Sequence, residues 1–169
     1  MNKIIIKDNF LDKSTFNSIK NTIFDAHINS TFPWFLQNYK VKKGDGEMQF
    51  THLFFEDHVI NSRYFKALIP LLKKLKVRAL QRMKVNNTIK TNKIRLYRYH
   101  VDFKASKNEA VGKTGLFYLH TTNGPTFFKN SKKVDCVENR MVIFPSDMRH
   151  TGSTHTDHLC RGVININWF

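Results

Sequence analysis

The sequence predicts a mainly β protein, a jelly roll with flanking helices, and three observations lead there. After Arg82 the chain breaks into eight short candidate strands separated by turn residues and keeps that texture to its end, which suits a jelly roll. Before Arg82, two stretches place apolar residues at helical spacing. With 169 residues, 41% of them hydrophobic, the chain has single-domain length and enough apolar material for a core. The expectation is one domain over 1–169, with a helical and strand support over 1–82 and the jelly-roll core over 83–169.

Residues 3–7 read as a short strand and lead through Asp8 and Asn9 into a helix from Asp12 or Ser14 to His27. Phe16, Ile19 and Ile23 fall on one helical face, and Asp12 or Ser14 can cap the free amides at its start. This helix should cover a sheet, with His27 as a surface or boundary residue. Residues 32–43 are aromatic and proline-punctuated, and 43–46 is a turn or flexible loop. Phe32, Trp34, Phe35 and Tyr39 suit either one end of a barrel core or a lid at a substrate entrance; the core reading is preferred. Residues 49–55 form a strand in which His52 is hydrogen-bonded structure. A helical region opens at Asn61 or Ser62, and Pro70 starts a new helix at its first position or kinks the old one. Its apolar face comprises Tyr64, Phe65, Leu68, Leu71, Leu72, Leu75 and Leu80.

The eight candidate strands are 83–88, 94–103, 114–121, 126–128, 132–137, 140–144, 150–154 and 161–169. The last carries a test of the barrel. Arg161, Val163, Asn165 and Asn167 share one face, and Ile164, Ile166 and Trp168 share the other. On a barrel the polar face lines a pocket, and an arginine in that lining needs an anionic partner because a buried unpaired charge is costly.

Lysine and arginine number 28 against 13 acids, a net charge of +15 and a pI near 10.0. Such a field draws polyanions, or it is a solvated lysine-rich surface. Lysines cluster at 40, 42 and 43, at 73, 74 and 76, and at 132 and 133; those in the seventies are the solvent face of a helix. Nucleic acid is therefore one expected class of partner on charge alone, although no recognisable nucleic-acid module appears. No apolar run approaches a membrane span, and Ile4-Ile5-Ile6 is too short for a signal-peptide core. The expectation is a cytoplasmic protein without membrane contact, with Cys136 and Cys160 as free thiols. Neither cysteine has the close Cys or His pairing of a zinc site.

The chemistry centres on 99–103. If 94–103 is a strand, His100 and Asp102 point to one side and make half of a metal site. A histidine from a distant strand would complete a two-histidine, one-carboxylate facial triad, which leaves three coordination positions open and suits non-haem Fe(II) oxygenases. His150 is the candidate, 48 residues after Asp102, and Arg161 follows 11 residues later. Arginine offers a planar fork that holds a carboxylate bidentately. A second His-x-Asp, His155-Thr-Asp157, has only 12 residues after it, too few for another strand pair with a distal histidine.

These residues, with Gly115-Leu-Phe-Tyr-Leu-His120, Thr122-Asn-Gly124, Val137-Glu-Asn-Arg140, Val142-Ile-Phe-Pro145, His150-Thr-Gly152 and Arg161-Gly-Val-Ile-Asn-Ile-Asn167, carry a resemblance. It continues upstream in Lys84-Val-Asn86, Gln49-Phe-Thr-His52 and Phe32-Pro-Trp34. The chain resembles the Fe(II)- and 2-oxoglutarate-dependent dioxygenases of the prolyl-hydroxylase-like branch, especially the small oxygenases of phage and bacterial genomes. The resemblance implies a cupin-like double-stranded β-helix with helices outside its larger sheet. It further implies Fe(II) held by His100, Asp102 and His150, with 2-oxoglutarate and O2 as cosubstrates and no catalytic residue beyond the metal ligands. Arg161 would pair with the far carboxylate of 2-oxoglutarate, Tyr118 would donate it a hydrogen bond, and Asn86 would touch the cofactor or the substrate. The implied reaction releases succinate and CO2 and ends in hydroxylation of an unidentified protein side chain, small molecule or nucleic acid.

The sequence departs from the family's pattern at His120, where asparagine is usual, at Gly115, where alanine is common, and at Gly162, where a bulkier residue often follows the arginine. His120 is a further polar group near the site or a simple replacement, and is not taken as a ligand. Other readings stay open. A nucleic-acid demethylase suits the charge, but such enzymes typically carry a second arginine six residues after the first, where this chain has Asn167. A noncatalytic basic jelly-roll binding module would use His100 and His150 as ordinary barrel histidines. A zinc hydrolase with the same three ligands would leave Arg161 unexplained.

Overall fold

The structure, a computed structural model, describes residues 3–24, 32–103, 111–129 and 131–169. Eleven strands and two helices are present among them. The strands are β1 (Ile5–Lys7), β2 (Phe35–Gln37), β3 (Gln49–Glu56), β4 (Val59–Ile60), β5 (Leu80–Ile89), β6 (Lys113–Tyr118), β7 (Thr122–Phe128), β8 (Lys133–Cys136), β9 (Met141–Pro145), β10 (His150–Thr151) and β11 (Cys160–Trp168). The helices are α1 (Lys13–Phe24) and α2 (Ile69–Leu75), the latter preceded by a 3-10 helix over Arg63–Leu68. The large antiparallel sheet runs β1-β9-β6-β11-β5-β3-β2, with β4 added to β3, and a small sheet runs β10-β7-β8. The protein is mostly β, with a jelly-roll core of two antiparallel sheets.

The alternation in β11 builds both sides of the large sheet. Ile164, Ile166 and Trp168 join a core with Phe16, Ile19 and Ile23 of α1, together with Met83 and Val85 of β5 and Phe117 of β6. Val163 joins a second core with Leu116, Tyr118, Val142, Phe144, Phe128 and Val134, between the two sheets. Each fully buried large side chain of this kind contributes about 1.5–3 kcal/mol. The helices therefore lie outside the larger sheet, and the opposite face looks into the barrel.

The local signals act as expected at several points. Asp12 Oδ1 accepts the Thr15 amide at 2.9 Å and starts α1, Ser62 Oγ accepts the Tyr64 amide at 3.1 Å, and Pro70 stands in the first turn of α2. Gly162 has a tertiary cause: a Cβ there would lie 2.5 Å from the Phe24 ring of α1. Gly115 is pressed in the same way, its Cβ position being 3.0 Å from the Trp168 indole. These two departures from the family pattern thus follow from how α1 and Trp168 pack.

Other expectations are corrected. Residues 94–103 form no regular strand; they run extended and meet the 150s through isolated bridges at Leu96–Ser153 and His100–His150. Leu80 belongs to β5, not to the helical face, because the short α2 already ends at Lys76 in the left-handed conformation. Of 150–154 only His150–Thr151 is strand. Phe32 is core, against His52, Phe54 and Tyr64, and Trp34 packs on Phe24 and Phe32. Phe35, by contrast, is 60% exposed on the edge strand β2, and Tyr39 is half-buried. The expectation for His27 lies outside the described residues. Among the described residues no helix is long and apolar enough to cross a membrane.

Candidate metal centre and cavity

The extended 94–103 segment runs antiparallel to the chain around β10. Tyr97 donates its amide to Gly152 O at 3.1 Å, and Arg95 O accepts the Thr154 amide at 2.9 Å. His100 and His150 then exchange both backbone hydrogen bonds at 3.0 Å. Between these contacts the 97–100 side advances three residues while the 150–152 side advances two. That slip prevents a continuous ladder. Past His100 the partner chain turns, so the Asp102 amide reaches Ser146 O at 3.1 Å. The outcome is a pair of histidines on adjacent backbones with Asp102 beside them.

The ligand atoms of His100, Asp102 and His150 all lie within 4.8 Å of one another. His100 Nδ1 meets Arg98 O at 3.2 Å and His150 Nδ1 meets Met148 O at 3.0 Å. A carbonyl only accepts, so each Nδ1 carries the proton and each Nε2 keeps its lone pair for a metal. Asp102 Oδ1 faces His100 Nε2 at 4.0 Å and Arg82 Nη2 at 3.5 Å. Its Oδ2 is fully engaged, accepting from Thr114 Oγ1 at 2.8 Å, Asn167 Nδ2 at 3.1 Å and Asn165 Nδ2 at 3.3 Å.

Protonation states agree with this division. Burial lowers the pKa of His100, and the neighbouring His150 ring lowers it further. Burial pushes the Asp102 carboxyl up, but His150, Arg82, His100 and the Thr114 hydroxyl together hold it below the usual carboxylate range. Two imidazoles and one carboxylate are the donor set of a divalent metal with open positions.

The triad opens into a cavity lined also by Lys40, Lys84, Asn86, Thr88, Tyr97, Thr126 and Arg161. Arg161 is 6% exposed. Its Nη2 reaches Thr126 Oγ1 at 3.4 Å, its guanidinium carbon lies 5.5 Å from the centre of the Tyr118 ring, and its Nε has no partner. None of the ion pairs among the described residues includes it. Asn86 Oδ1 on the same lining is likewise buried without a partner. Such orphaned polar atoms mark a place for a polar ligand.

Tyr118 does not line the cavity; its hydroxyl pairs with Thr126 Oγ1 at 2.7 Å and burial raises its pKa to about 12. The structure thus sets it beneath Arg161 and Thr126. His52 is held by Pro33 O and Ser62 Oγ at 2.8 and 2.7 Å and is absent from the cavity lining. Asp157 of the second His-x-Asp accepts the Asn123 amide at 2.9 Å and, among the described residues, makes no metal cluster with His155. Cys136 and Cys160 are free.

His120 stands apart from the cavity, packed on Phe24 and His158. With His158 and Cys160 it forms a second cluster of ligand-type atoms. Its Nδ1 accepts the Gly162 amide at 3.1 Å, so its Nε2 carries the proton and points that proton at Cys160 Sγ, 3.8 Å away. The ring is therefore committed to hydrogen bonding.

Sequence reasoning missed the Thr114, Asn165 and Asn167 cradle around Asp102 and the two cavity lysines. The alternation of β5, with Arg82, Lys84, Asn86 and Thr88 on one face, was the available signal for Lys84. Lys40 and Tyr97 carried none, since both lie outside regular strands. Asn167, which the sequence places on the polar face of the last strand, at the position of the missing second arginine, orients the carboxylate. Asn167→Ala is expected to weaken Fe(II) binding about 10-fold while leaving the fold intact, as loss of an outer partner does; a metal titration against wild type measures it.

No family model matches the sequence, and no curated protein matches it. Solved structures do match in fold. A prolyl hydroxylase in complex with a hypoxia inducible factor peptide, from Trichoplax adhaerens, aligns at 17% identity with a TM-score of 0.67, covering 100% of this chain and 84% of that one. The viral collagen prolyl hydroxylase of Paramecium Bursaria Chlorella virus-1 aligns at 13% identity and 0.65, covering 98% and 93%. The non-haem α-ketoglutarate-dependent epimerase SnoN from nogalamycin biosynthesis aligns at 12% identity and 0.64, covering 99% and 78%. The chain shares the fold of these proteins over essentially its whole length.

Proposed function

We propose that this protein is an Fe(II)- and 2-oxoglutarate-dependent dioxygenase of the prolyl-hydroxylase-like branch. In this reading His100, Asp102 and His150 hold the metal and Arg161 takes the far carboxylate of 2-oxoglutarate. One observation carries it: a ready three-ligand cluster and a buried, unpaired arginine share one cavity. A zinc hydrolase needs the first and not the second, and a binding module needs neither.

The bound metal and cosubstrate would supply O2 activation, coupled to loss of CO2 from 2-oxoglutarate with formation of succinate. The protein's own residues bind, orient and exclude water. The Thr114, Asn165 and Asn167 hydrogen bonds fix one Asp102 oxygen and leave the other facing His100 and Arg82. The Arg98 and Met148 carbonyls fix both histidine tautomers. Leu116 and Val163 give the cavity an apolar wall, and Tyr118, through Thr126, holds the floor beneath Arg161.

The favoured outcome is hydroxylation of a peptide or small molecule. The matched folds include a hydroxylase bound to a peptide and an epimerase of a biosynthetic route; one fold therefore hosts different outcomes, and the reaction is set by the site. Anaerobic titration with Fe(II) and then 2-oxoglutarate tests the reading. The weak visible charge-transfer band of the chelate should appear in wild type and vanish in His150→Ala. Fe(II) binding without any band would refute 2-oxoglutarate as cosubstrate.

A further inference from the structure

The cavity holds more positive charge than this chemistry uses. Lys40, Lys84 and Arg161 line it, and Asp102 is the one carboxylate in the lining. Asp102 is already committed to the cradle and the metal cluster. Among the described residues, no ion pair includes Lys40 or Lys84. Bound Fe(II) and 2-oxoglutarate cancel one another in formal charge, so filling the site leaves this excess in place.

The positions of the cations matter as much as their number. In the β5–β11 register Thr88 stands opposite Arg161 and Lys84 opposite Asn165. Four residues along a strand separate Lys84 from the Arg161 level by roughly 13 Å. Lys84 stands at the Asp102 end, where Asn165 also reaches Asp102. A carboxylate held by Arg161 is therefore out of its reach. Lys40 is held in place from the other side: the Asp45 carboxylate gathers the amides of Lys40, Val41, Lys42 and Glu47. Lys40 Nζ lies 3.1 Å from the centre of the Tyr97 ring, and Tyr97 is itself part of the cavity. The Glu47 and Asp45 carboxylates act favourably on the Lys40 charge and the Tyr97 ring face adds to that. Lys40 is thus partly compensated, and Lys84 carries the larger share of the excess.

We infer that the primary substrate carries an anionic group, a carboxylate or a phosphate, which Lys84 anchors beside the metal with Lys40 completing the positive pocket. This rests on the oxygenase reading above and names the substrate class of that site. Lys84 in this role is a specificity-determining residue. A neutral prolyl side chain alone would leave its charge unmet.

The test uses the full chain loaded with Fe(II) and saturating 2-oxoglutarate under nitrogen, titrated calorimetrically with sulfate or acetate at constant ionic strength. Wild type should bind one anion. Lys84→Met should weaken that binding at least about 10-fold, as loss of a buried charge partner does, and Lys84→Arg should restore most of it, with the chelate band unchanged in all three. Tighter sulfate binding would assign a phosphate-like group, and tighter acetate binding a carboxylate. Equal affinity in wild type and Lys84→Met, or no anion binding by wild type, would overturn the inference. So would loss of the chelate band in Lys84→Met, which would return the lysine to the cosubstrate. Absence of the band in wild type itself would be a separate result, the failure of the oxygenase reading.

Discussion

Asp102→Ala is expected to abolish Fe(II) binding at micromolar metal while the protein still folds. Loss of an outer partner costs about 10–100-fold in metal affinity, so loss of the charged ligand itself should exceed about 100-fold. The two histidines would remain, but they bring no negative charge to offset the metal or the nearby Arg82. The truncation also leaves Thr114, Asn165 and Asn167 without their shared acceptor, a cost of about 1–3 kcal/mol per unsatisfied buried group. Asp102→Asn separates the effects, since it keeps an oxygen acceptor and removes only the charge. Both variants should lose the metal, and the asparagine variant should keep the wild-type melting temperature more closely. Anaerobic Fe(II) titration with a parallel thermal melt makes the comparison. Full metal affinity in either variant would show the ligand set to be wrong.

Arg161→Ala should separate cosubstrate from metal. The side chain is 6% exposed, touches Thr126 at a long 3.4 Å and lies on the Tyr118 ring. None of these contacts neutralises it. Removing one partner of a buried charge pair costs about 2–5 kcal/mol, so the apparent constant for 2-oxoglutarate should rise about 100-fold, at 1.4 kcal/mol per tenfold. Fe(II) affinity should stay within a few-fold of wild type, because Arg161 is not among the three clustered metal-ligand side chains. Arg161→Lys should recover only part of the loss, since an ammonium lacks the bidentate fork. Equal damage to metal and cosubstrate binding would argue that Arg161 supports the barrel wall instead.

The strand pattern of β11 was legible because a strand alternates its side chains whatever it packs against. Arg161 and Asn165 reach the cavity and Ile164, Ile166 and Trp168 reach the helical core, as that alternation requires. The stripe of Phe16, Ile19 and Ile23 in α1 was legible for the corresponding helical reason. The 94–103 segment was legible only in part. His100 and Asp102 do converge with His150, yet by way of isolated bridges and a slipped register. An alternating run of residues carries no sign of the partner strand that would or would not continue the ladder.

By itself, then, the sequence determined the jelly-roll class, the helical cover, and the identity and order of His100, Asp102, His150 and Arg161. These depend on backbone periodicity and on side-chain chemistry, both local properties. The tertiary structure alone decided what surrounds them. It committed Asp102 Oδ2 to Thr114, Asn165 and Asn167, put the Tyr118 hydroxyl on Thr126, excluded any side chain at Gly162 by means of Phe24, and brought Lys40 from an N-terminal loop to Lys84 and Arg161. Most of these meetings join segments tens of residues apart, and their register is set by the packing of the whole sheet, which no local pattern encodes.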